Sequence, residues 1–170
     1  MESTDVLVIG SGIAGLCAAI EAARTGATVA VASAGKTMSG SSFFPGTWGL
    51  GLIGPVNEDD EQDLIDTIQT VGGGVADPEL VQTFVHGIPQ AIEWLEQDLG
   101  VELQRPQSAK SAQQKQFIPC FDHKTRMWRG LTRKPLEDAL TTWIESLGIR
   151  LLPRHELIDP VSYTHLTLPT

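Results

Sequence analysis

The sequence predicts an α/β fold in which a parallel sheet is flanked by helices. Near the start, an apolar stretch, residues 5–9, leads through a glycine turn into a small-residue stretch, residues 13–23, and then into a second apolar stretch, residues 27–32. Near the end, an amphipathic stretch, residues 135–147, precedes the apolar residues 149–152. Short apolar strands that alternate with helices are typical of βαβ units, whose strands run parallel.

The turn between the first predicted strand and helix carries Gly10, Gly12 and Gly15 in the spacing GxGxxG. The first glycine of such a turn permits a tight bend, the second lets backbone N–H groups approach a pyrophosphate, and the third lets the helix pack closely on the strand. The helix N-terminus adds partial positive charge. Because the glycines stand between a strand and a helix, they predict a Rossmann-like, dinucleotide-binding fold; a purely structural turn is the alternative.

The residues after the second predicted strand bear on which dinucleotide is bound. A nicotinamide-binding unit usually places an Asp or Glu about 20 residues beyond the glycines, on the ribose hydroxyls. This chain has no acidic residue between Glu21 and Glu58, and the strand ends in Ser33, followed by Lys36. A serine binds a ribose hydroxyl without a charge, and therefore more weakly. An NAD-dependent dehydrogenase is thus disfavoured, and it stays as an alternative beside a non-catalytic nucleotide-binding module.

A long segment rich in Gly, Ser and Thr follows, residues 37–54. Glycine has high backbone freedom, and Ser and Thr side chains bond to turns, so a regular helix is excluded here. We expect an extended loop whose backbone passes against the ligand, with an ordinary surface loop as the alternative.

These features together resemble the flavoprotein family of fumarate reductase, succinate dehydrogenase and L-aspartate oxidase, over roughly residues 5–161. The resemblance implies FAD as the cofactor, with the glycine turn on the pyrophosphate, a serine on the ribose, and the Ser/Gly loop on the flavin side. The implied cofactor-binding residues are Gly10, Gly12, Ile13, Ala14, Gly15, Ser33, Lys36, Ser41, Ser42 and Gly49.

The resemblance also implies a mode of attachment and an activity. Several family members attach FAD covalently through a histidine in the Ser/Gly loop, whereas this chain has Ser41 or Ser42 there and no histidine before His86. Non-covalent FAD is therefore implied. The parent enzyme would be an FAD-dependent oxidoreductase that transfers a hydride between flavin and a small organic, dicarboxylic acid, with the electron partner left open. The family's main catalytic Arg and His residues come later than residue 161, so these 170 residues are expected to be inactive.

Composition limits the partners and the cellular location that the sequence allows. A net charge of −9 disfavours nucleic acid and anionic membrane surfaces as partners. No apolar stretch is long enough to span a bilayer, and the acidic Glu2 and Asp5 disfavour a signal peptide. Two cysteines make no disulfide framework, and Cys17 is expected in the core. We therefore expect a reducing, cytoplasmic location.

Two further helices are predicted in the middle of the chain. The acidic residues 58–61 favour a helix start over a metal site, and no metal is predicted. Glycines 72–74 end this helix; Asp77 caps the next one, Pro89 is expected to kink it, and Gly100 ends it. The expected apolar stripe of this longest helix consists of Leu80, Val81, Phe84, Ile88, Ile92, Leu95 and Leu99.

A basic cluster, residues 124–134, holds five of the chain's twelve basic residues. It follows a polar stretch, residues 101–117, expected to be irregular and exposed. The cluster could neutralise FAD phosphates or attract a dicarboxylate, because arginine binds both in a bidentate manner. The alternative is a solvated helix entrance paired with the acidic run. Arg126 best matches an arginine-containing segment of the resembling family.

Several other residues with reactive side chains are expected to be structural. His86 and Trp94 are expected to pack or to face solvent. Asp122 and His123 could form an acid–base pair, but adjacent side chains rarely face each other, and Cys120 has no CxxC partner. No catalytic residue is assigned.

The last residues, 162–170, do not continue the pattern. They resemble a translated sequencing adapter and are excluded from fold reasoning. The expected organisation is the N-terminal part of an FAD-binding domain, residues 1–161, followed by a non-native tail.

Overall fold

The structure, a computed structural model, describes residues 3–44, 51–108 and 124–159. Its elements, in chain order, are β1 (Val6–Ile9), α1 (Ile13–Arg24), β2 (Val29–Ser33), a 3-10 turn (Ser41–Phe43), β3 (Leu52–Gly54), α2 (Glu58–Val71), α3 (Pro78–Glu93), a π-helical turn (Trp94–Asp98), β4 (Met127–Arg129), α4 (Arg133–Ser146) and β5 (Arg150–Pro153).

The chain divides into two compact units. The described part of the first unit consists of residues 3–44 and 141–159, and that of the second consists of residues 51–108 and 124–140. Within these ranges no helix has the length and apolar character needed to cross a membrane.

The first unit is built on a parallel three-stranded sheet in the order β1-β2-β5. Strand β2 is the central strand of this sheet, and every residue of it is buried. Strand β1 stands at the edge of the sheet, where Leu7 and Ile9 are 49% and 50% exposed. The predicted α/β class with parallel strands is confirmed.

Helix α1 connects β1 to β2 and packs on both. Its buried side chains, Leu16, Ala19 and Ile20, lie on one face at helical spacing, and the small residues between them allow a close approach to the sheet. The predicted strand, turn, helix and strand of residues 5–33 are therefore all present.

The second unit contains the helix pair α2 and α3 and the antiparallel strand pair β3 and β4. The Asn57 side chain accepts a hydrogen bond from the Asp60 N–H at 3.1 Å, and the Asp77 side chain accepts from the Glu79 and Leu80 N–H groups at 2.9 and 3.1 Å. These bonds satisfy helix donors that have no partner within the helix. The buried residues shared by the two helices are Leu64, Ile65, Val81, Val85 and Ile88.

The predicted apolar stripe of α3 was partly wrong. Leu80 and Phe84 are 68% and 61% exposed, whereas Val81, Val85 and Ile88 are buried. The buried residues follow the spacing i, i+4, i+7, and Leu80 and Phe84 stand one residue earlier, about 100° around the helix. Propensity and hydrophobicity alone do not identify which of two adjacent apolar rows faces the core.

The end of α3 also differs in detail from the prediction. The helix continues past Pro89 to Glu93 and then changes to π-helical spacing, in which the Leu99 N–H donates to the Trp94 carbonyl at 2.9 Å. Gly100, with φ of +74°, ends the helical segment as expected.

The strand pair β3 and β4 was not predicted. Residues 52–54 were expected to belong to the glycine-rich loop, but they pair with residues 127–129. Strands of three residues are too short to show an alternating pattern, and their pairing is set by contacts distant in sequence. A Cβ on Gly51 would lie 2.4 Å from Nε1 of Trp128, so glycine is required there for the indole to pack against the strand.

The stretch after α3 is not uniformly exposed, contrary to expectation. Val101 and Leu103 are each 2% exposed, and Gln104 forms an antiparallel bridge with Gly130. The bridge holds this segment beside β4, which explains why two apolar residues in a polar stretch are buried.

Candidate functional site

A cleft lies at the carboxyl ends of β1 and β2 in the first unit, and residues 10–14, 33–35 and 39–42 line it. Its volume is about 440 Å³. In open parallel sheets, ligands bind outside the carboxyl ends of the strands. The fold therefore brings together every described residue that the sequence assigned to the cofactor except Gly15 and Lys36, which are not among its lining residues.

The floor of the cleft is the glycine turn. Gly10 has φ of +103°, and its N–H donates to the Ala32 carbonyl at 2.8 Å, which ties the turn to the end of β2. A Cβ on Gly15 would lie 2.0 Å from the Gly10 carbonyl oxygen. The third glycine is thus required for α1 to lie against the turn, as the spacing predicts.

Gly12, unlike Gly15, has room for a Cβ. A Cβ on Gly12 would meet only the Ser39 carbonyl oxygen, at an ordinary 3.6 Å. The packing of the described residues therefore does not demand glycine at this position. This is the behaviour expected where a ligand, and not the protein itself, needs the space.

The start of α1 presents backbone donors. Leu16 N–H donates to the Gly12 carbonyl at 3.0 Å, so the N–H groups of Ile13, Ala14 and Gly15 precede the first intrahelical bond. None of the side chains in the described ranges caps this helix. Uncapped amides at a helix N-terminus, together with the helix dipole, make a site suited to a phosphate.

Ser33 ends β2 and lies in the wall of the cleft, but its hydroxyl is already engaged. Ser11 Oγ lies 3.0 Å from Ser33 Oγ, and the Ser11 and Ser33 hydroxyls are each 3.3 Å from the Lys36 carbonyl oxygen. Ser39 Oγ donates to the same carbonyl at 2.7 Å. Ser11 was not predicted from the sequence, although its place between the first two glycines was an available signal.

The Ser/Gly loop contributes further lining residues to the cleft. Gly40, with φ of +104°, precedes the 3-10 turn, in which Ser41 and Ser42 line the cleft and Phe43 is buried. Gly49 lies outside the described residues.

The basic cluster has a structural explanation at Arg126. This side chain is 1% exposed and pairs with two carboxylates of α2, Asp60 and Asp63, the latter at 2.8 Å. It also donates to the Thr67 hydroxyl at 3.3 Å, and Lys124 pairs with Asp63. Of the two interpretations of the basic cluster, pairing with the acidic run is the one that the structure shows for Arg126. The expected solvated position was wrong, because this side chain is buried.

The remaining candidates do not add reactive groups. Burial, followed by the nearby Glu21 carboxylate, raises the pKa of the Cys17 thiol to about 11, so the thiol is protonated and a weak nucleophile at neutral pH. His86 is exposed on α3. Cys120, Asp122 and His123 lie outside the described residues, and the ranges that the structure describes hold no group of His, Cys, Asp and Glu side chains suited to a metal ion.

Comparison with known proteins adds to this geometry. A family model described as an FAD binding domain matches residues 5–159. L-Aspartate oxidase of Halobacterium salinarum is 43% identical over 91 residues, covering 54% of this chain and 17% of that protein. NADH:fumarate oxidoreductase of Klebsiella pneumoniae is 34% identical over 109 residues, covering 60% of this chain and 12% of that protein.

A solved structure shares the fold. The open conformation of a flavocytochrome c3 fumarate reductase superposes with a TM-score of 0.65 at 23% identity, over 90% of this chain and 27% of that chain. The chain thus spans less than a third of the length of each of these similar proteins.

Replacing Gly15 by alanine tests the contact between α1 and the turn. Because the new Cβ would meet the Gly10 carbonyl at 2.0 Å, we expect Gly15→Ala to lower the free energy of unfolding by about 2 kcal/mol or more. The control is Gly87→Ala in α3, where a Cβ meets nothing within 4 Å and helix propensity adds up to about 1 kcal/mol. Urea unfolding followed by circular dichroism measures both; equal effects of the two variants would refute the steric explanation.

Replacing Arg126 by methionine tests the buried ion pairs. We expect Arg126→Met to lower the free energy of unfolding by about 2 kcal/mol, because Asp60 and Asp63 lose their buried partner. The loss stays moderate because both carboxylates keep partial hydration. Lys134→Met, which breaks the exposed pair with Asp138, serves as the control and should cost less than about 0.5 kcal/mol.

The same variant has an expected pH dependence. Hydrogen bonds from Lys124 and then from Arg126 hold the pKa of the Asp63 carboxyl below its usual value. Because the pKa of Asp63 is lower in the folded than in the unfolded state, where it is about 4, its ionised carboxylate stabilises the fold above about pH 4. This contribution is lost as the pH falls through the folded-state pKa. The stability gap between wild type and Arg126→Met should therefore narrow as the pH falls below the unfolded-state pKa of about 4, and a constant gap would contradict this assignment.

Proposed function

The chain belongs to the FAD-binding domain family, and from that premise we propose that the cleft of the first unit binds the ADP half of FAD. The observation that carries the proposal is the set of uncapped amides at the start of α1, which face a cleft floored by glycines. These groups fit a pyrophosphate, because its oxygens are acceptors only and its charge is complementary to the helix N-terminus.

We assign the residues in three groups. The turn and helix start, Gly10, Gly12, Ile13, Ala14 and Gly15, would hold the pyrophosphate. Ser33, at the end of β2, and Lys36, in the segment after it, would lie by the adenosine ribose. The Ser/Gly loop, with Ser41, Ser42 and Gly49, would run along the flavin side. The space above Gly12 supports this arrangement, since no described side chain fills it.

The parent protein is proposed to be an oxidoreductase that acts on a small organic acid. FAD, when bound, supplies the redox chemistry, and the protein supplies binding, orientation and electrostatics. The names of two similar proteins, an aspartate oxidase and a fumarate oxidoreductase, support an organic acid as the substrate class. The catalytic residues and the electron partner stay unassigned.

Attachment of FAD is proposed to be non-covalent, and the location cytoplasmic. The loop of residues 37–54 contains no histidine that could form a covalent bond to the flavin. The free thiol of Cys17 is compatible with a reducing compartment.

The organisation along the chain is also part of the proposal. Residues 1–161 would be the N-terminal part of the FAD-binding domain of a longer protein, and residues 162–170, which lie outside the described residues, a non-native tail. The small share of each relative that the chain covers supports a longer protein, as do the half-exposed Leu7 and Ile9 on the outer strand β1.

Cofactor retention tests the proposed function. After incubation with FAD and desalting, the purified chain is expected to show the visible absorption bands of flavin, and acid precipitation should release the flavin into the supernatant. Gly12→Asp is expected to lose FAD, because its carboxylate would repel the pyrophosphate while its Cβ fits without a clash. Gly87→Asp, with the same charge change on α3, should retain it; a colourless but folded wild-type chain would reject the proposal.

The proposed organisation is tested at the gene. We expect the genomic reading frame to depart from the present sequence near codon 161 and to continue into further coding sequence. We also expect the 170-residue chain to show no substrate-dependent flavin reduction with aspartate, fumarate or succinate. A stop codon directly after codon 170, or turnover by this chain, would contradict the division.

A further inference from the structure

We infer that Ser11 is a positioning residue for nucleotide binding: it frees the Ser33 hydroxyl to bind the ribose hydroxyls of the adenosine half. This inference rests on the proposed function. It starts from an unusual feature of the cleft wall, where two buried serine hydroxyls lie against each other and against one backbone carbonyl.

Both hydroxyls are withdrawn from bulk water. Ser11 is 2% and Ser33 is 7% exposed, yet both line the cleft. A buried hydroxyl needs a hydrogen-bond partner, and each has one in the other serine, at 3.0 Å. The pair is therefore an ordered part of the cleft wall. Ser33, at the end of β2, stands where a nicotinamide-binding unit has a carboxylate.

The Lys36 carbonyl decides how the hydrogens are shared. Three hydroxyls reach this oxygen, Ser39 at 2.7 Å and Ser11 and Ser33 at 3.3 Å each. A carbonyl oxygen has two lone pairs, so Ser39, the nearest, takes one, and Ser11 and Ser33 compete for the other. Each hydroxyl has a single hydrogen, and only one of the two serines donates to Lys36 at a time.

This competition links Ser11 to the ligand. When Ser11 donates to the Lys36 carbonyl, the hydrogen of Ser33 lies between the Ser33 and Ser11 oxygens. A ribose oxygen in the cleft can then replace the Ser11 oxygen as its acceptor, while Ser11 keeps the Lys36 carbonyl as its own partner. Without the Ser11 hydroxyl, Ser33 is the remaining partner for the second lone pair, and ligand binding would have to break that bond. Ser11 thus acts through Ser33 and does not itself touch the ribose.

The test compares two nucleotides that differ only in the ribose hydroxyls, ADP and 2′,3′-dideoxy-ADP. Isothermal titration calorimetry of the 170-residue chain is performed with each nucleotide. Wild type should bind ADP more tightly by about fivefold, the magnitude of one net hydrogen bond. Ser33→Ala should abolish this preference and leave the affinity for dideoxy-ADP unchanged.

Variants of Ser11 test the inference itself. Ser11→Ala should reduce the preference for ADP at least twofold without weakening dideoxy-ADP, and Ser11→Thr, which keeps the hydroxyl, should restore it. The double variant with Ser33→Ala should match Ser33→Ala alone, since Ser11 acts through that residue. Ser146→Ala, which removes an exposed hydroxyl on α4, is the control and should behave as wild type.

The outcomes separate this inference from the function on which it rests. If Ser11→Ala weakens both nucleotides equally, or leaves the ADP preference intact, Ser11 has no positioning role although the cleft still binds nucleotide. Failure of wild type to bind FAD and ADP overturns both the proposed function and the inference. Should Ser11→Ala not fold, Ser11→Cys keeps the side-chain volume with a weaker donor, and the same criteria apply to it.

Discussion

The cleft depends on one close contact, the approach of α1 to the glycine turn. The missing side chain at Gly15 lets the helix lie where a Cβ would be 2.0 Å from the Gly10 carbonyl. The Gly10 N–H bond to Ala32 ties the same turn to the end of β2, and Ile13 and Ala14 at the start of α1 line the cleft. The uncapped amides at the start of α1 depend on this contact for their place beside the cleft.

In the second unit, the charged side chains around Arg126 pair with one another. Arg126, in the middle of a basic cluster, is buried and bonded to Asp60 and Asp63 of an acidic helix start. A buried guanidinium with two carboxylate partners is neutralised where it stands, so it has little charge left for an external anion. The proposed pyrophosphate site accordingly rests on the backbone amides at the start of α1 and not on Arg126.

The predictions held where the pattern was local. The glycine spacing, the flanking strands, the cap at Asp77 and the stop at Gly100 each involve neighbours within a few residues, and all are present. The predictions that were wrong concern partners distant in sequence. The exposed Leu80 and Phe84, the buried Val101 and Leu103, and the strands β3 and β4 depend on which segments meet, and hydrophobicity along the chain does not contain that information.

The sequence by itself determined the α/β class and the place of the cleft proposed to bind the nucleotide, because a strand, a GxGxxG turn and a helix in succession admit few arrangements. Only the tertiary structure decided how the polar side chains are used. It paired Ser33 with Ser11 and the Lys36 carbonyl, and Arg126 with α2. A hydroxyl or a guanidinium has the same sequence signature whether it faces a ligand or a buried partner, and long-range packing makes the choice between them.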